Sequence, residues 1–255
     1  MINLLDRPVI FFLGAFAVFA VAAWTGERLG ARRTPAADED RSEFDIVQGA
    51  TLTLLGLIIG FTFSMALNRY DQRKNYEEEE ANAIGTEFLR ADLLPPADAA
   101  KVRALLLQYL DERIRFYTLR DDDQLRQSDA LTAKLQAELW TAVKTPALAQ
   151  PSPVAALAVS GMNDVVNTQG YTQAAWWNRI PASAWALMAA ISVCANMLVG
   201  VGAKKTKRRS ALFLVLPFVV ALAFFLIADI DAPRRGVILV KPQNLENLVQ
   251  SLRAQ

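Results

Sequence analysis

The chain has 255 residues, of which 53% are apolar, and its formal net charge is +1. This apolar share favours a membrane protein with a soluble part. The balanced charge offers no basic field to attract nucleic acid. Histidine is absent, and the single cysteine, Cys194, lies in an apolar run. Because the commonest general base and metal ligand are missing and no intrachain disulfide can form, the composition predicts no enzyme, no cofactor and no metal site.

Four apolar runs approach the length of about 20 helical residues that a bilayer core requires. They cover residues 8–24, 46–67, 181–203 and 211–228. The sequence therefore predicts an all-α membrane protein with about four transmembrane helices. The first run has an alternative interpretation as a cleaved signal peptide, because residues 20–23, AVAA, resemble a small-residue cleavage site. Its leading segment carries both Asp6 and Arg7, so the basic segment of a signal peptide is missing.

Lysine and arginine in short flanking loops predict the orientation of such helices. Nine lie in the loops after the first and third runs: Arg28, Arg32, Arg33, Arg41, Lys204, Lys205, Lys207, Arg208 and Arg209. Five lie on the opposite side: Arg7, Arg234, Arg235, Lys241 and Arg253. The excess places the two short loops in the cytoplasm. The long central segment is then expected on the non-cytoplasmic side of a bacterial inner membrane.

The second apolar run carries small residues at helical spacing: Gly49, Thr53, Gly56, Gly60 and Ser64. At about 100° per residue they form one stripe along a helix. Gly56 and Gly60 make a GxxxG pair, which allows two helix backbones to approach closely in lipid. The stripe predicts helix packing through Gly49, Gly56, Gly60 and Ser64, either within the chain or between subunits of a homo-oligomer.

The second run also carries a sparse polar line on another side of the helix, formed by Gln48, Thr51 and Thr62. These residues are candidates to face a pore. Alternatively, their side chains form hydrogen bonds with backbone carbonyl groups of their own helix.

The central segment, residues 68–180, reads as helices with almost no strand-like alternation. Helices are predicted from 68 to 92, 98 to 119, 128 to 143 and 154 to 177, with Pro146, Pro151 and Pro153 marking a linker. We therefore expect a helical extramembrane domain at 68–180 between transmembrane helix pairs at 1–67 and 181–228. In the juxtamembrane tail, 229–255, residues 237–240 form a short β-like run and residues 244–252 a final helix.

An acidic run, Glu77, Glu78, Glu79 and Glu80, lies early in the central segment. Four consecutive acids on a helix point in four directions, so a solvated face is one interpretation. The other is a vestibule at a subunit junction, where the carboxylates would attract cations.

Three blocks of sequence resemble a family of bacterial membrane proteins described as bestrophin-like. They are GFTFSMALNRYDQRKNYEEEEANAIGTEFLRADLLP, RIPASAW and DIDAPRRGVILVKPQNLENL, and they span nearly the whole chain in this order. Bestrophins are pentameric ion channels with four membrane helices, a helical insert after the second and a pore lined by the second. The resemblance implies a channel-like homo-oligomer that passes small ions across the lipid bilayer. The alternative is an envelope structural or sensory protein that binds a partner through its helical extramembrane domain.

Overall fold

A computed structural model describes residues 7–31, 38–203 and 214–254, with all side chains except those of residues 38–41. The described residues form eight α-helices, so the predicted all-α class is confirmed. The helices are α1 Pro8–Ala31, α2 Asp38–Arg90, α3 Pro96–Thr118, α4 Asp122–Ala149, α5 Pro153–Trp177, α6 Ala182–Gly202, α7 Val215–Asp231 and α8 Gln243–Arg253. A 3-10 turn, Ala91–Leu93, follows α2.

Several residues used to predict orientation lie outside this description: Arg32, Arg33 and the basic residues of 204–209. Asp6, used to weigh the signal-peptide interpretation, lies outside it too. The side chain of Arg41 lies outside it as well. Residues 211–213, the start of the fourth apolar run, are also not described. The predicted orientation and the start of the fourth helix therefore stay predictions.

Three described segments contain helix long and apolar enough to cross a membrane: Pro8–Ala31, Ser42–Leu93 and Pro153–Gly202. The first contains α1, the second α2, and the third covers α5 and α6. The described part of α7 has 17 residues, which is fewer than the about 20 that a bilayer requires. The membrane character of the chain is thus supported by three spans, and a fourth remains a prediction.

The chain forms two compact units. The first contains Met1–Asn68 and Arg179–Ile238, and the second contains Arg69–Asn178 and Leu239–Gln255. Helix α2 contributes to both units because it runs without interruption from Asp38 to Arg90. The predicted continuation of the second membrane helix beyond Asn68 is confirmed. That the central segment lies outside the membrane remains a prediction.

In the first unit, α1 packs against α6 and α7. Aromatic rings fill part of this contact, with ring centroids 5.4 Å apart for Phe11 and Trp185 and 5.3 Å apart for Phe19 and Phe224. Such edge-to-face pairs contribute about 0.5–1.5 kcal/mol beyond their buried area. The apolar runs of the sequence thus supply rings for packing as well as a lipid-compatible surface.

Glycines bring α1 and α6 close together in the same unit. A Cβ atom on Gly26 would collide with the carbonyl oxygen of Met197, and one on Gly200 would collide with the carbonyl oxygen of Ala23. Only glycine fits where two helix backbones approach so closely. This crossing fixes the position of α1 against α6.

In the second unit, α3 packs on α4, α4 on α5 and α8 on α3 around a core of large apolar side chains. Two of these helices begin at side-chain caps. Asp121 accepts hydrogen bonds from the backbone N–H groups of Asp123 at 3.1 Å and Gln124 at 3.0 Å. Ser152 accepts one from Ala155 at 3.0 Å, immediately before Pro153. These caps satisfy N–H groups that have no partner within the helix.

The prediction that a linker begins at Pro146 is wrong, because α4 continues through this residue to Ala149. A proline inside a helix removes the hydrogen bond that its own nitrogen would donate, here to the carbonyl of Ala142, and its ring crowds that carbonyl. Pro146 is buried, and its carbonyl accepts the next turn's hydrogen bond from Gln150 at 3.0 Å. Tertiary packing therefore outweighs the local cost of the ring.

The predicted β-like run at residues 237–240 is also wrong, because these residues form bends and irregular chain. Their backbone has another partner. The N–H groups of Val237 and Ile238 donate to the two carboxylate oxygens of Asp229, at 2.7 and 2.8 Å. The buried carboxylate at the end of α7 thus accepts the backbone hydrogen bonds that a neighbouring strand would otherwise accept. The predicted final helix is confirmed as α8.

Candidate functional site: the two faces of α2

One face of α2 is packed inside the chain. In the first unit it presents Leu55, Thr62 and Ala66, all buried. These positions are separated by seven and four residues, so they share one side of a helix at about 100° per residue. In the second unit the same spacing continues as a row of buried charged residues: Arg73, Glu77, Glu80 and Glu87.

The three residues predicted to face a pore lie on this packed side. Thr62 is 5% exposed, and its hydroxyl donates to the carbonyl of Ile58 at 2.8 Å. The hydroxyl of Thr51 donates to the carbonyl of Val47 at 2.8 Å. Gln48 is half-buried beside Gly202. The two threonine hydroxyls thus bond to their own helix, as the alternative interpretation expects, and the pore-facing role of these residues stays a prediction.

The stripe of small residues lies on the opposite, open side of α2. Among the described residues, no atom comes within 4 Å of a Cβ built on Gly49, Gly56 or Gly60. Thr53 and Ser64, which complete the stripe, are exposed. At about 100° per residue the stripe is centred roughly 140° away from the packed face. The described part of the chain thus contains no helix crossing at this stripe.

The close crossing within the chain lies instead between α1 and α6. Its sequence signal is a second GxxxG pair, formed by Gly26 and Gly30, which sequence analysis overlooked. A Cβ on Gly30 would lie 3.1 Å from the Cα atom of Val201. Gly26 and Gly30 follow an apolar run and precede an arginine-rich loop, so composition alone assigns them to the end of a helix.

The acidic run divides between the two faces of α2. Glu77 and Glu80 are buried, whereas Glu78 and Glu79 are exposed. This division follows from the helical repeat, because residues three apart share a face and the two between them do not. Only the middle pair is therefore available to solvent.

Glu77 holds the start of α8. Its Oε1 atom accepts hydrogen bonds from the backbone N–H groups of Asn244 at 2.9 Å and Leu245 at 3.0 Å. Its Oε2 atom accepts one from the side-chain amide of Asn244 at 2.6 Å. A carboxylate at a helix N-terminus satisfies unpaired N–H groups and the positive end of the helix dipole. Burial nevertheless raises the pKa of Glu77, because it outweighs these hydrogen bonds.

Glu80 lies in a buried polar cluster with Arg113, Tyr117 and Thr172. The guanidinium of Arg113 pairs with its carboxylate. The hydroxyls of Tyr117 and Thr172 donate to Oε2 at 3.3 and 3.2 Å. Burial, reinforced by the charge of Glu80, raises the pKa of Tyr117, so this hydroxyl keeps its proton. The cluster joins α2, α3 and α5 within the second unit.

The end of α7 carries a second group of buried acids that sequence analysis did not assign. Asp231 accepts hydrogen bonds from the backbone of Ile180 at 3.1 Å and from Nε of Arg179 at 3.3 Å. Asp229 holds the segment after α7. Within the described ranges no group of three or more acidic, histidine or cysteine side chains is arranged to hold a metal ion.

Comparisons with known proteins agree with the helical architecture. The family model described as Bestrophin-like domain matches residues 13–245. A crystal structure of a bacterial bestrophin homologue from Klebsiella pneumoniae, carrying one substitution, superposes with a TM-score of 0.66 at 11% sequence identity, over 96% of this chain and 97% of that one. A structure of that homologue phased with zinc gives a TM-score of 0.59 at 14% identity, over 97% and 98%. No curated protein matches the chain. Because the family model covers most of its length, the chain belongs to the bestrophin-like family.

Proposed function

We propose that the protein is a channel-like homo-oligomer in which the open stripe of α2 surrounds an axis that passes small ions. The observation that supports this most is the open stripe itself. Small residues on a membrane helix favour close contact with other protein rather than with lipid alone. The described part of the chain provides no such contact at Gly49, Gly56 and Gly60. Copies of α2 from other subunits would provide the missing contact for these small residues.

The outer half of α2 fits the same arrangement. At about 100° per residue, the helical phase of the small-residue stripe continues through Asp71, Lys74 and Glu78. All three are exposed, while the buried charges lie on the other side of the helix. A polar continuation of this kind suits the aqueous mouth of a pore. It assigns the pore-facing role to the small residues instead of Gln48, Thr51 and Thr62.

A pair of threonine substitutions tests this assignment. In a Cys194→Ala background, Thr53→Cys places a thiol on the open stripe and Thr51→Cys places one on the packed side. The two changes are matched, because both hydroxyls donate to a backbone carbonyl four residues earlier, at 2.9 and 2.8 Å. Currents are recorded across planar bilayers before and after a small, charged thiol reagent is added.

We expect the reagent to reduce the current of Thr53→Cys and to leave that of Thr51→Cys unchanged. If the reagent reduces the current of Thr51→Cys and not that of Thr53→Cys, the packed side of α2 would line the pore instead. Images of purified particles provide the second measurement, since the proposal requires rings with rotational symmetry. Single-subunit particles without bilayer current would refute the channel and favour the structural or sensory alternative.

A further inference from the structure

Among the four buried charged residues on the packed side of α2 in the second unit, Glu87 differs from the others. Arg73 donates to the carbonyl of Ala175 at 3.1 Å, Glu77 caps α8 and Glu80 pairs with Arg113. Glu87 has a relative exposure of 0%, yet among the described residues neither of its carboxylate oxygens has a hydrogen-bond partner. A buried ionised carboxylate in this position would carry a large desolvation cost.

The carboxylate of Glu87 is pressed against α5 at Gly161. A Cβ atom on Gly161 would collide with Oε2 of Glu87 and would lie 2.5 Å from Nη1 and 2.9 Å from Cδ of Arg90. The missing side chain of Gly161 therefore makes room for the acid. Ala158, Met162 and Val165 of α5 are all buried and provide no polar atom from their side chains.

The charged groups that act on Glu87 are Arg90 from its own helix and Asp164 from α5. They oppose one another, because Arg90 favours the ionised form and Asp164 disfavours it. Arg90 also faces Asp164 at 3.8 Å, and both side chains are partly exposed. On α3, Arg103 contacts Asp92 and the carbonyl of Phe88. The positive charge near Glu87 is thus shared with other acids.

We propose that Glu87 is a buried proton-binding site that fastens α2 to α5 at Gly161 while it is protonated and weakens this contact when it ionises. A neutral carboxylic acid fits this buried site at modest cost. The anion finds no hydrogen bond among the described residues, and the nearby guanidinium of Arg90 is shared with Asp164. Burial raises the pKa of Glu87 from 4.5 to about 8, which agrees with this arrangement. The contact then depends on pH in the range in which many proteins work. The proposal does not rest on ion conduction.

The direction of the pH dependence follows from proton linkage. In an opened form, with Glu87 in water, the carboxyl loses its proton near its ordinary pKa of 4.5. In the closed form it keeps the proton until about pH 8. The closed form binds more protons between these values, so the opening equilibrium rises by up to about tenfold per pH unit there and levels off above about pH 8.

Hydrogen exchange of the full-length protein in detergent micelles tests this proposal. Exchange of the amides in residues 155–165 is measured from pH 5 to 9, and the rates are corrected for the intrinsic effect of pH. Glu87→Gln and Glu87→Met remove the titrating group with similar side-chain length. Glu79→Gln, an exposed position on the same helix, is the matched control.

We expect opening at residues 155–165 to increase between pH 5 and 8 in the wild type and in Glu79→Gln. The increase should be absent in both Glu87 variants. The same pH slope in the wild type and in the Glu87 variants would overturn the proposal. If both variants fail to fold, infrared spectra of the wild type test whether a buried carboxyl group is protonated. A buried protonated carboxyl band should persist at pH 7 and disappear by pH 9, and its absence at pH 7 would refute a proton site.

Discussion

The carboxylate of Glu80 and the guanidinium of Arg113 form an ion pair inside the second unit, and both side chains are 0% exposed. They are separated by 33 residues and join α2 to α3. The hydroxyls of Tyr117 and Thr172 add hydrogen bonds to the same carboxylate. Because both charges are buried, removal of either partner would leave the other charge without compensation.

Arg113→Met should therefore destabilise the second unit strongly. Removing one partner of a buried ion pair leaves an uncompensated charge, at a typical cost of about 3–5 kcal/mol. Arg126→Gln is the control, because the pair between Arg126 and Asp123 is exposed on both sides and such pairs contribute under about 1 kcal/mol. The measurement is denaturant unfolding in micelles, monitored by tryptophan fluorescence. Equal losses in the two variants would show that the buried pair contributes no more to stability than an exposed one.

Two glycine substitutions should separate packing inside the subunit from packing between subunits. Gly200→Leu would drive a side chain into the backbone of α1 at Ala23, so we expect a less stable subunit. Gly60→Leu meets open space among the described residues and should leave subunit stability nearly unchanged. It should instead lower the mass of the solubilised particle, because the stripe is proposed to pack between subunits. Light scattering and thermal unfolding measure the two effects.

The outcome for Gly60→Leu is informative in both directions. A particle of unchanged mass, with normal subunit stability, would remove the stripe from any subunit interface. A destabilised subunit of unchanged mass would instead indicate a crossing with residues of this chain that the structure does not describe.

Local periodicity predicted much of α2 but not the environment of its faces. The stripe from Gly49 to Ser64 follows from helical spacing alone. Which side is open depends on where α2 meets the rest of the chain, and that information is distributed over distant segments. Glu77, for example, binds the backbone of Asn244, 167 residues away. No local pattern predicts such a partner.

The two wrong secondary-structure predictions have the same physical origin. Pro146 has a strong local preference against a helix interior, and Val237, Ile238 and Val240 have β-branched side chains that favour a strand. In the structure, burial keeps Pro146 within α4, and the carboxylate of Asp229 takes the N–H groups that a neighbouring strand would bind. Tertiary contacts override a propensity of about 1–3 kcal/mol in such cases.

The predicted orientation can be tested with single cysteines. In a Cys194→Ala background, Gln127→Cys reports on the central segment and Thr206→Cys on the basic loop. If the nine basic residues of the short loops face the cytoplasm, a membrane-impermeant thiol reagent on intact cells should label position 127 and spare position 206. Permeabilised cells provide the control, since both positions should then react. The reverse pattern in intact cells would place the central segment in the cytoplasm.

The last prediction concerns ion selectivity. Glu78 shares the helical phase of the open stripe, whereas Glu79 lies about 100° away from it and Glu77 and Glu80 are buried. In a ring of subunits, Glu78 would face the axis and Glu79 would point to the side, away from the axis. Asp71 and Lys74 share the phase of Glu78, so the exposed charges of this stripe sum to a small negative value per chain.

We therefore expect a weak preference for cations over anions, because carboxylates around a pore mouth concentrate cations. Glu78→Gln should shift the reversal potential under a salt gradient towards zero, and Glu79→Gln, its matched control, should shift it less. The effect should fade as salt rises, since screening at physiological ionic strength limits it to about 8 Å. Equal shifts in the two variants would indicate a general surface charge effect. Anion selectivity in the wild type would contradict a cation-attracting mouth at Glu78 even if the open stripe lines the pore.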